Sequence, residues 1–248
     1  MCRALPGVNG LMLIGGLLTA WQILFEIAGE NALAPPIATF RYLGQLLGTA
    51  DFWSNVAATG MAFLFALMLS LMLGLLIGLA FGLHRFSGEV AEPMLVSFYS
   101  IPKITLYPIV LLAFGIGMPA KVAFGAIHGI VPMAIFTMTA VRSIRPVLLK
   151  TARVMRLTQW DVARSIIIPS ALPEIFTGIR VSFALTLIGT LLGEMFGSQR
   201  GLGYLLMTAI GLQNVRMIMA VTLLLVLFAA TVSVTLLAVD RRLHHDAT

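Results

Sequence analysis

Four ionisable side chains lie inside or beside long apolar runs of the sequence: Glu26, Lys103, Arg180 and Glu194. A charge in hydrocarbon costs free energy, so such residues pair with other groups or line a route for ions or solutes. Lys103 and Arg180 are cations that would suit an anion, although Arg180 could instead pair with Glu174 or reach the membrane surface. Glu194 precedes a glycine-rich segment and could brace a gate through hydrogen bonds. We predict Lys103, Arg180 and Glu194 as candidates for passing or gating a solute, and Glu26 as a structural residue.

The sequence shows no pattern typical of catalysis or of a bound metal. Its four histidines have no metal-ligand spacing with carboxylates, and His244 and His245 lie in a polar tail. The single cysteine, Cys2, excludes a disulfide framework and a cysteine-rich metal site. The motif G-x-x-x-x-G-K-[ST], which would cradle nucleotide phosphates, does not occur. We therefore predict no catalytic residue, no metal and no cofactor in this chain.

The composition is that of a membrane protein. Of the 248 residues, 59% are hydrophobic and 10% are charged, and the mean hydropathy is +1.00. A soluble domain carries about a quarter charged residues, so this chain has too few to cover a water-facing surface. The net charge of +6 does not indicate a nucleic-acid partner, because the basic residues lie between apolar runs. In a membrane protein that arrangement reports topology.

Six apolar segments are near the length of about 20 residues that crosses a bilayer as a helix. They lie near residues 8–28, 55–83, 93–117, 120–141, 170–197 and 214–239. The third is the least regular, because Pro93, Pro102 and Pro108 would bend it. An alternative for the first is a signal peptide over residues 11–25, cleaved near Ala32-Leu33-Ala34. We predict an all-α membrane protein with six transmembrane helices.

Three glycines in the second segment, Gly74, Gly78 and Gly82, recur at four-residue spacing on one helical face. Small residues in this arrangement let two helices approach closely. The pattern favours packing within the helix bundle, and the alternative is a face that contacts a second copy of the chain.

The basic residues predict the orientation of the chain. With six spans and a cytoplasmic N-terminus, ten Lys and Arg residues fall on the cytoplasmic side and four fall outside: Arg41, Lys121, Arg200 and Arg216. Because cytoplasmic connections carry the excess of positive charge, this bias predicts that both termini are cytoplasmic. The connection between the fourth and fifth spans then lies in the cytoplasm.

That connection contains the signal for a short helix. Thr158 followed by Asp161 resembles a capping box, so a helix is expected to begin at Gln159. Pro169 is expected to end it, because proline cannot donate the next backbone hydrogen bond.

The predicted helix is amphipathic. Trp160, Ala163 and Ile167 share one apolar face, while Asp161 and Arg164 lie off it. Such a helix could lie in the lipid interface. Alternatively, it could dock into a groove on a partner protein.

Several short motifs resemble those of the permease subunits of bacterial ATP-binding-cassette (ABC) importers, above all the branch that serves nitrate, sulfonates and taurine. In the cytoplasmic connection the matching residues are Trp160, Ile168-Pro169, Ala171-Leu172-Pro173 and Thr177-Gly178-Ile179-Arg180. Elsewhere they are Pro35-Pro36, Ser100-Ile101-Pro102, Tyr107-Pro108, Phe114-Gly115-Ile116-Gly117, Gly193-Glu194-Met195 and Gly201-Leu202-Gly203-Tyr204-Leu205. These motifs follow the family's order over about residues 30 to 240.

The resemblance implies a type I ABC importer permease fold, with residues 1–248 as one transmembrane domain and a cytoplasmic coupling loop at about 142–169. It implies a pair of permease subunits, expected here as a homodimer, in the bacterial inner membrane. Two ATP-binding subunits would bind ATP and Mg²⁺, and an extracytoplasmic solute-binding protein would deliver the solute. An organic or inorganic anion such as sulfonate, taurine or nitrate is favoured by the two cations. The residues expected to couple to the ATPase are Thr158, Gln159, Trp160, Asp161, Ala163, Arg164, Ile167 and Pro169.

The upstream half of the coupling motif departs from the family. Lys150-Thr151-Ala152 replaces Glu-Ala-Ala, and Arg156 stands where the family has glycine. Because a left-handed backbone costs a non-glycine residue about 1–2 kcal/mol, we expect right-handed geometry through Arg156. Leu157 and Thr158 would then make the turn.

Two other function classes remain as alternatives. A secondary transporter or channel without an ATPase would commonly show inverted repeats, and the sequence shows none. A membrane-embedded enzyme would need convergent His, Asp or Ser groups at one depth, and the apolar segments contain too few. The permease of an ATP-driven importer is therefore the favoured function.

Overall fold

The computed structural model describes residues 6–245, except for the side chains of residues 6–9, 11, 85, 149, 159 and 240–245. This part of the chain forms a bundle of α-helices. The helices are α1 (Pro6–Ala28), α2 (Pro36–Leu47), α3 (Ala50–Leu83), α4 (Arg85–Ser100), α5 (Tyr107–Phe114), α6 (Met118–Arg142), α7 (Pro146–Val154), α8 (Gln159–Val162), α9 (Ile168–Gly197), α10 (Leu202–Gly211) and α11 (Val215–His245).

Among the described residues, four helical stretches are long and apolar enough to cross a membrane: Ala50–Leu83, Met118–Arg142, Trp160–Gly197 and Val215–Val239. The other two predicted segments take different forms. The third predicted segment is a pair of helices bent by 85°, and the first predicted segment contains a shorter apolar helix, Met12–Ala28. The all-α membrane fold is thus confirmed, whereas six continuous transmembrane helices are not observed.

The break in the third segment falls at Pro102. Ile101 is extended, as expected before proline, and a 3₁₀ turn over Lys103–Leu106 leads into α5. Pro93 lies inside α4, and Pro108 lies in the first turn of α5, where its missing N–H is not needed. The irregularity predicted for this segment is confirmed.

The bent pair runs the length of the bundle. Near its start, Glu92 of α4 pairs with Arg142 at the last residue of α6, at 2.7 Å. Beyond the bend, the hydroxyl of Tyr107 donates to the carbonyl of Gly193 near the end of α9, at 3.0 Å. The pair therefore passes from one end of the bundle to the other as a broken crossing.

Helices α3, α6 and α9 form the core, and small residues bring them together. Gly74, Gly78 and Gly82 of α3 abut Met133, Thr137 and Val141 of α6 so closely that an added Cβ would collide or crowd at each position. Because residue numbers increase in the same direction along both helices at these contacts, α3 and α6 run parallel. The packing role predicted for the three glycines is confirmed.

Helix α9 packs antiparallel on α6 through a buried cluster of hydroxyls. The hydroxyl groups of Ser70, Ser182 and Thr186 converge on Gly129, which leaves room for them. Ser182 donates to the Gly129 carbonyl at 2.9 Å, and Ser70 lies 3.2 Å from the Thr186 hydroxyl. Because each hydroxyl has a partner, polar atoms are tolerated at this depth.

The bundle has two ends, which we name by one residue each. The Gly201 end contains the connections at residues 29–35, 115–117, 198–201 and 212–214. The Trp160 end contains the connection at residue 84 and the segment 143–158 that leads to α8. In a membrane-spanning bundle these ends face opposite sides of the bilayer.

Candidate functional site

The short helix predicted at the Trp160 end is present and begins at Gln159. Its cap is formed as expected, because the Thr158 hydroxyl oxygen accepts from the Asp161 N–H at 3.2 Å. The same hydroxyl donates to the Asp161 carboxylate at 2.6 Å. In a usual capping box the side chain of the third helical residue accepts from the backbone N–H of the cap residue, whereas here the Asp161 carboxylate accepts from the capping hydroxyl.

The prediction that Pro169 ends this helix is wrong. A π-helical turn over Ala163–Ile167 joins α8 to α9, so that one helix runs from Trp160 to Gly197. In this turn the N–H of Ile168 donates to the carbonyl of Ala163, five residues earlier. The wider turn shifts the hydrogen-bond register just before Pro169, and proline is then accommodated in the first turn of α9.

The side chains of the short helix are strongly exposed. Trp160 is 72% exposed, and Asp161 and Arg164 are also exposed. Ala163 and Ile167, on the same face as Trp160, are half-buried, and the side chain of Gln159 lies outside the described residues. A large aromatic that the bundle leaves uncovered is typical of a surface for lipid or a partner protein.

Basic residues lie in the segment that leads to this helix. Four cations precede it and are exposed: Arg145, Lys150, Arg153 and Arg156. We call Trp160 and these four exposed cations together the coupling surface.

The prediction of a right-handed backbone at Arg156 is also wrong, because its φ is +54°. The N–H of Arg156 donates to the Arg153 carbonyl, and that of Leu157 to the Ala152 carbonyl, each at 3.1 Å. These two bonds are the Schellman pairing that ends a helix with one left-handed residue. Satisfying two carbonyls at the end of α7 outweighs the conformational cost to Arg156, which takes the geometry that glycine would take.

At the Gly201 end, Glu194 lies in a buried ion pair. The Lys121 ammonium donates to Glu194 Oε1 at 3.2 Å, and the two side chains are 3% and 0% exposed. The ammonium also donates to the Arg200 carbonyl at 3.2 Å and contacts Ser198 Oγ at 3.4 Å. All three protons of the cation therefore have acceptors, which offsets the cost of burying it.

The same carboxylate caps a helix. Its Oε2 accepts from the Thr59 hydroxyl at 2.7 Å and from the Gly203 N–H at 3.1 Å, in the first turn of α10. The N–H of Leu202 donates to Thr59 Oγ1 at 2.7 Å, and that of Gly201 donates to Asn55 Oδ1 at 2.8 Å. Three successive N–H groups at the start of α10 are thus bonded by side chains of α3 and α9. A helix start leaves such groups unpaired, and a negative charge there is favourable.

Glycine is required where this helix starts. Gly201 has a φ of +123°, which other residues rarely adopt, and an added Cβ would meet the Glu194 carboxylate. At Gly203 a Cβ would meet the Leu191 carbonyl and the Glu194 side chain. The glycines of this motif therefore let Glu194 reach the backbone of α10. We call Asn55, Thr59, Lys121 and Glu194 the α10 anchor.

Lys103 and Arg180 lie in a different part of the molecule from Glu194. Arg180 and Tyr99 line a cavity of about 460 Å³ between α4, α9 and α11, with Ser233 and several apolar residues. Lys103 donates to the Tyr99 carbonyl at 3.0 Å and lies 4.8 Å from the centre of its ring. The structure thus brings the two cations to one region. Glu194 is about 21 Å farther along α9 by helical rise.

Lys121 was not predicted as a partner of Glu194 and was assigned to an outside connection. The structure places it in the first turn of α6 at 3% exposure. One signal was available, since Lys121 begins the fourth apolar segment at the end where Glu194 finishes the fifth. Opposite charges at one depth of a membrane bundle commonly pair.

Residues 70–247 match the family model described as binding-protein-dependent transport system inner membrane component. The riboflavin transport system permease protein RibX of Chloroflexus aurantiacus is 34% identical over 221 residues, which cover 88% of this chain and 82% of that protein. The taurine transport system permease protein TauC of Escherichia coli is 25% identical over 234 residues, 92% of this chain and 85% of that protein.

A solved structure shares the fold. The MetNI methionine ABC transporter in an inward-facing conformation superposes with a TM-score of 0.60 at 20% identity, covering 77% of this chain and 93% of that one. The shared fold and the family match agree with the motifs spread along the sequence. The chain belongs to the binding-protein-dependent transport family, and it is the permease subunit of an ABC importer of the branch that includes the sulfonate, taurine and nitrate permeases.

Proposed function

We propose that two copies of this chain form the membrane pathway of an importer for a small organic or inorganic anion. Two separate ATPase subunits dock on the coupling surface, and these subunits bind ATP and Mg²⁺. An extracytoplasmic binding protein delivers the solute at the Gly201 end. Both termini and the segment 142–169 lie in the cytoplasm, in accordance with the excess of basic residues there.

The observation that carries the proposal is the exposed Trp160 on a capped helix. The helix is continuous with α9, which spans the bundle, so a displacement of Trp160 acts directly on the core. An exposed aromatic side chain with exposed arginines at the same end of the bundle suits a groove with acidic groups on a partner protein. A lipid-interface helix would explain the exposure but not this connection to the core.

The choice of an anion rests on the cavity that Arg180 lines. Arg180 lines this mainly apolar space with Tyr99, and Lys103 contacts Tyr99, so both cations bring positive charge to this region. Such a space suits an organic anion such as a sulfonate or taurine. The similarity to a riboflavin permease favours a second candidate, a neutral heteroaromatic solute, which the apolar lining would also accept.

Truncation of the anchor residue tests the docking. Trp160→Ala should lower the affinity for the ATPase subunits about thirtyfold, since a central aromatic anchor contributes about 2 kcal/mol. Co-purification of the ATPase with the permease measures the loss. Leu212→Ala is the matched control, because Leu212 is 74% exposed at the opposite end. Unchanged co-purification of Trp160→Ala at normal expression would identify the helix as a lipid-interface element.

Side-specific labelling tests the orientation. In a Cys2→Ser background, single cysteines at positions 160 and 212 should react with an impermeant maleimide from the cytoplasmic and the external side, respectively. Reaction at position 160 from outside would contradict the orientation and the coupling role. Mass spectrometry of the ligand that co-purifies with the binding protein then decides between an anion and a neutral heterocycle.

A further inference from the structure

The start of α10 has no capping side chain of its own. Its cap position is Gly201, so its first three N–H groups depend on Asn55, Thr59 and Glu194 from other helices. A helix capped by its own residues keeps its cap when it moves. Helix α10 loses these three bonds when it moves away from α3 and α9.

Lys121 extends this dependence to α6 and to the connection before α10. It neutralises the Glu194 carboxylate and donates to the Arg200 carbonyl. A carboxylate left in the bundle without this cation would be strongly destabilised. The α10 anchor therefore joins α3, α6, α9 and the start of α10 in one hydrogen-bond network. Movement of α10 away from the other helices would break this network as a unit.

The structure also leaves room for movement beside the anchor. Leu202, in the first turn of α10, lines an apolar cavity of about 200 Å³ with Thr59 and Phe52. A side chain that moves into this space would pull its N–H away from Thr59. Trp160 lies at the opposite end of the continuous helix Trp160–Gly197, which links the coupling surface to Glu194.

We propose that Lys121, Asn55 and Thr59 are positioning residues for transport: with Glu194 they latch the start of α10 to the bundle, and solute passage requires this latch to open and close. The inference depends on the proposed function for its role in transport, but the latch itself is a property of the chain. Weakening the latch favours the state in which α10 is released from the bundle, and it uncouples ATP hydrolysis from delivery of the solute by the binding protein.

Thr59→Val tests the latch with little change of shape, because it removes both the donor to Glu194 and the acceptor for the Leu202 N–H. Thr137→Val is the matched control. Thr137 is equally buried and, among the side chains that the structure describes, its hydroxyl is buried without a partner. Thr59→Ser keeps the hydroxyl and serves as the rescue variant.

The first readout is the reaction of a cysteine at position 202 with a maleimide in the detergent-solubilised importer, in a Cys2→Ser background. Thr59→Val should raise the rate at least about fivefold, because the two hydrogen bonds that it removes no longer oppose opening and each typically accounts for about a fivefold change. Thr137→Val should leave the rate unchanged, and Thr59→Ser should restore it to within about twofold. Equal rates in all variants, or an equal rise in Thr137→Val, would overturn the proposal.

The second readout is the ATPase rate of the same complex with and without its binding protein. Thr59→Val should raise the rate without binding protein and reduce its stimulation, whereas Thr137→Val should do neither. An unchanged stimulation ratio in Thr59→Val would contradict the role in transport. The labelling needs neither a solute nor a known orientation, so its outcome is independent of the Trp160→Ala and topology experiments.

Discussion

The two ends of the bundle are built in opposite ways. At the Gly201 end, Glu194 and Lys121 are 0% and 3% exposed, and the side chains that hold α10 come from distant parts of the chain. At the Trp160 end, the hydrogen bonds that form the turn after α7 and the cap of α8 join residues three to five positions apart in the chain, and Trp160 itself is 72% exposed. At the first end, polar groups from distant segments are buried against one another. At the second end, the structure leaves a locally formed, exposed surface, on which we propose that the ATPase docks.

This difference predicts where mutations act. A change in the α10 anchor disturbs buried polar groups and should reduce folding stability. A change on the coupling surface removes exposed groups and should reduce assembly while the permease stays folded.

Removal of the buried cation should be the most destructive change. Lys121→Met leaves the Glu194 carboxylate buried without its counterion, at a cost of about 3–5 kcal/mol. Thermal unfolding of the detergent-solubilised chain, followed by size-exclusion chromatography, measures the loss. The double variant Lys121→Met/Glu194→Gln should recover much of it, because no unpaired charge remains. If the stability losses of the two single variants added up in the double variant, the interaction between Lys121 and Glu194 would not be the source of the loss.

Gly201→Ala should have the next largest effect, about 2–3 kcal/mol in stability. The added methyl group forces a left-handed backbone on alanine and meets the Glu194 carboxylate. The fraction of protein that elutes as a folded species measures the effect. Gly211→Ala, at the other end of α10 with open space around it, should behave as the unchanged chain. Similar behaviour of the two variants would contradict the close approach of Glu194 to the helix start.

Removal of the helix cap at the Trp160 end should affect assembly. Thr158→Ala removes the acceptor of the Asp161 N–H and destabilises the short helix by about 1 kcal/mol. The proposed docking on the ATPase should weaken about fivefold, with the melting temperature of the permease unchanged. Pull-down of the ATPase at graded concentrations measures the docking. A lower melting temperature with intact docking would reverse the assignment of this end.

Arg156→Gly should have the smallest effect, a gain of about 1 kcal/mol in the turn after α7. Glycine adopts the observed φ of +54° without the penalty that arginine bears. Transport should be retained if Arg156 serves only this turn. Reduced ATPase co-purification of Arg156→Gly would instead show that the guanidinium contacts the partner. Arg153→Gly, a control within α7, should lose stability because glycine weakens a helix interior.

Local features were predictable from the sequence. The start of the helix at Gln159 followed from Thr158 and Asp161, which are three residues apart. The packing of Gly74, Gly78 and Gly82 followed from their period. The break near Pro102 followed from the chemistry of proline. In each case the residues that decide the structure are neighbours in the chain.

Two predictions at the Trp160 end failed because each weighed a residue by itself. Pro169 was expected to end the helix, and Arg156 was expected to avoid a left-handed backbone. At Pro169 the preceding π turn changes the register, and at Arg156 two backbone hydrogen bonds determine the turn. At Arg156 the cost of a left-handed residue, about 1–2 kcal/mol, was overcome by these two bonds.

The sequence by itself determined that the chain is a helical membrane protein, where its apolar segments lie, and which family its motifs resemble. Only the tertiary structure decided that Lys121 pairs with Glu194, 73 residues away, and that Asn55 caps Gly201, 146 residues away. Composition and the spacing of residue types predict the structure of one segment by itself. The partner of a buried charge depends on which helices pack together and at what depth, and that is set by the close contacts of glycines and hydroxyls across α3, α6 and α9.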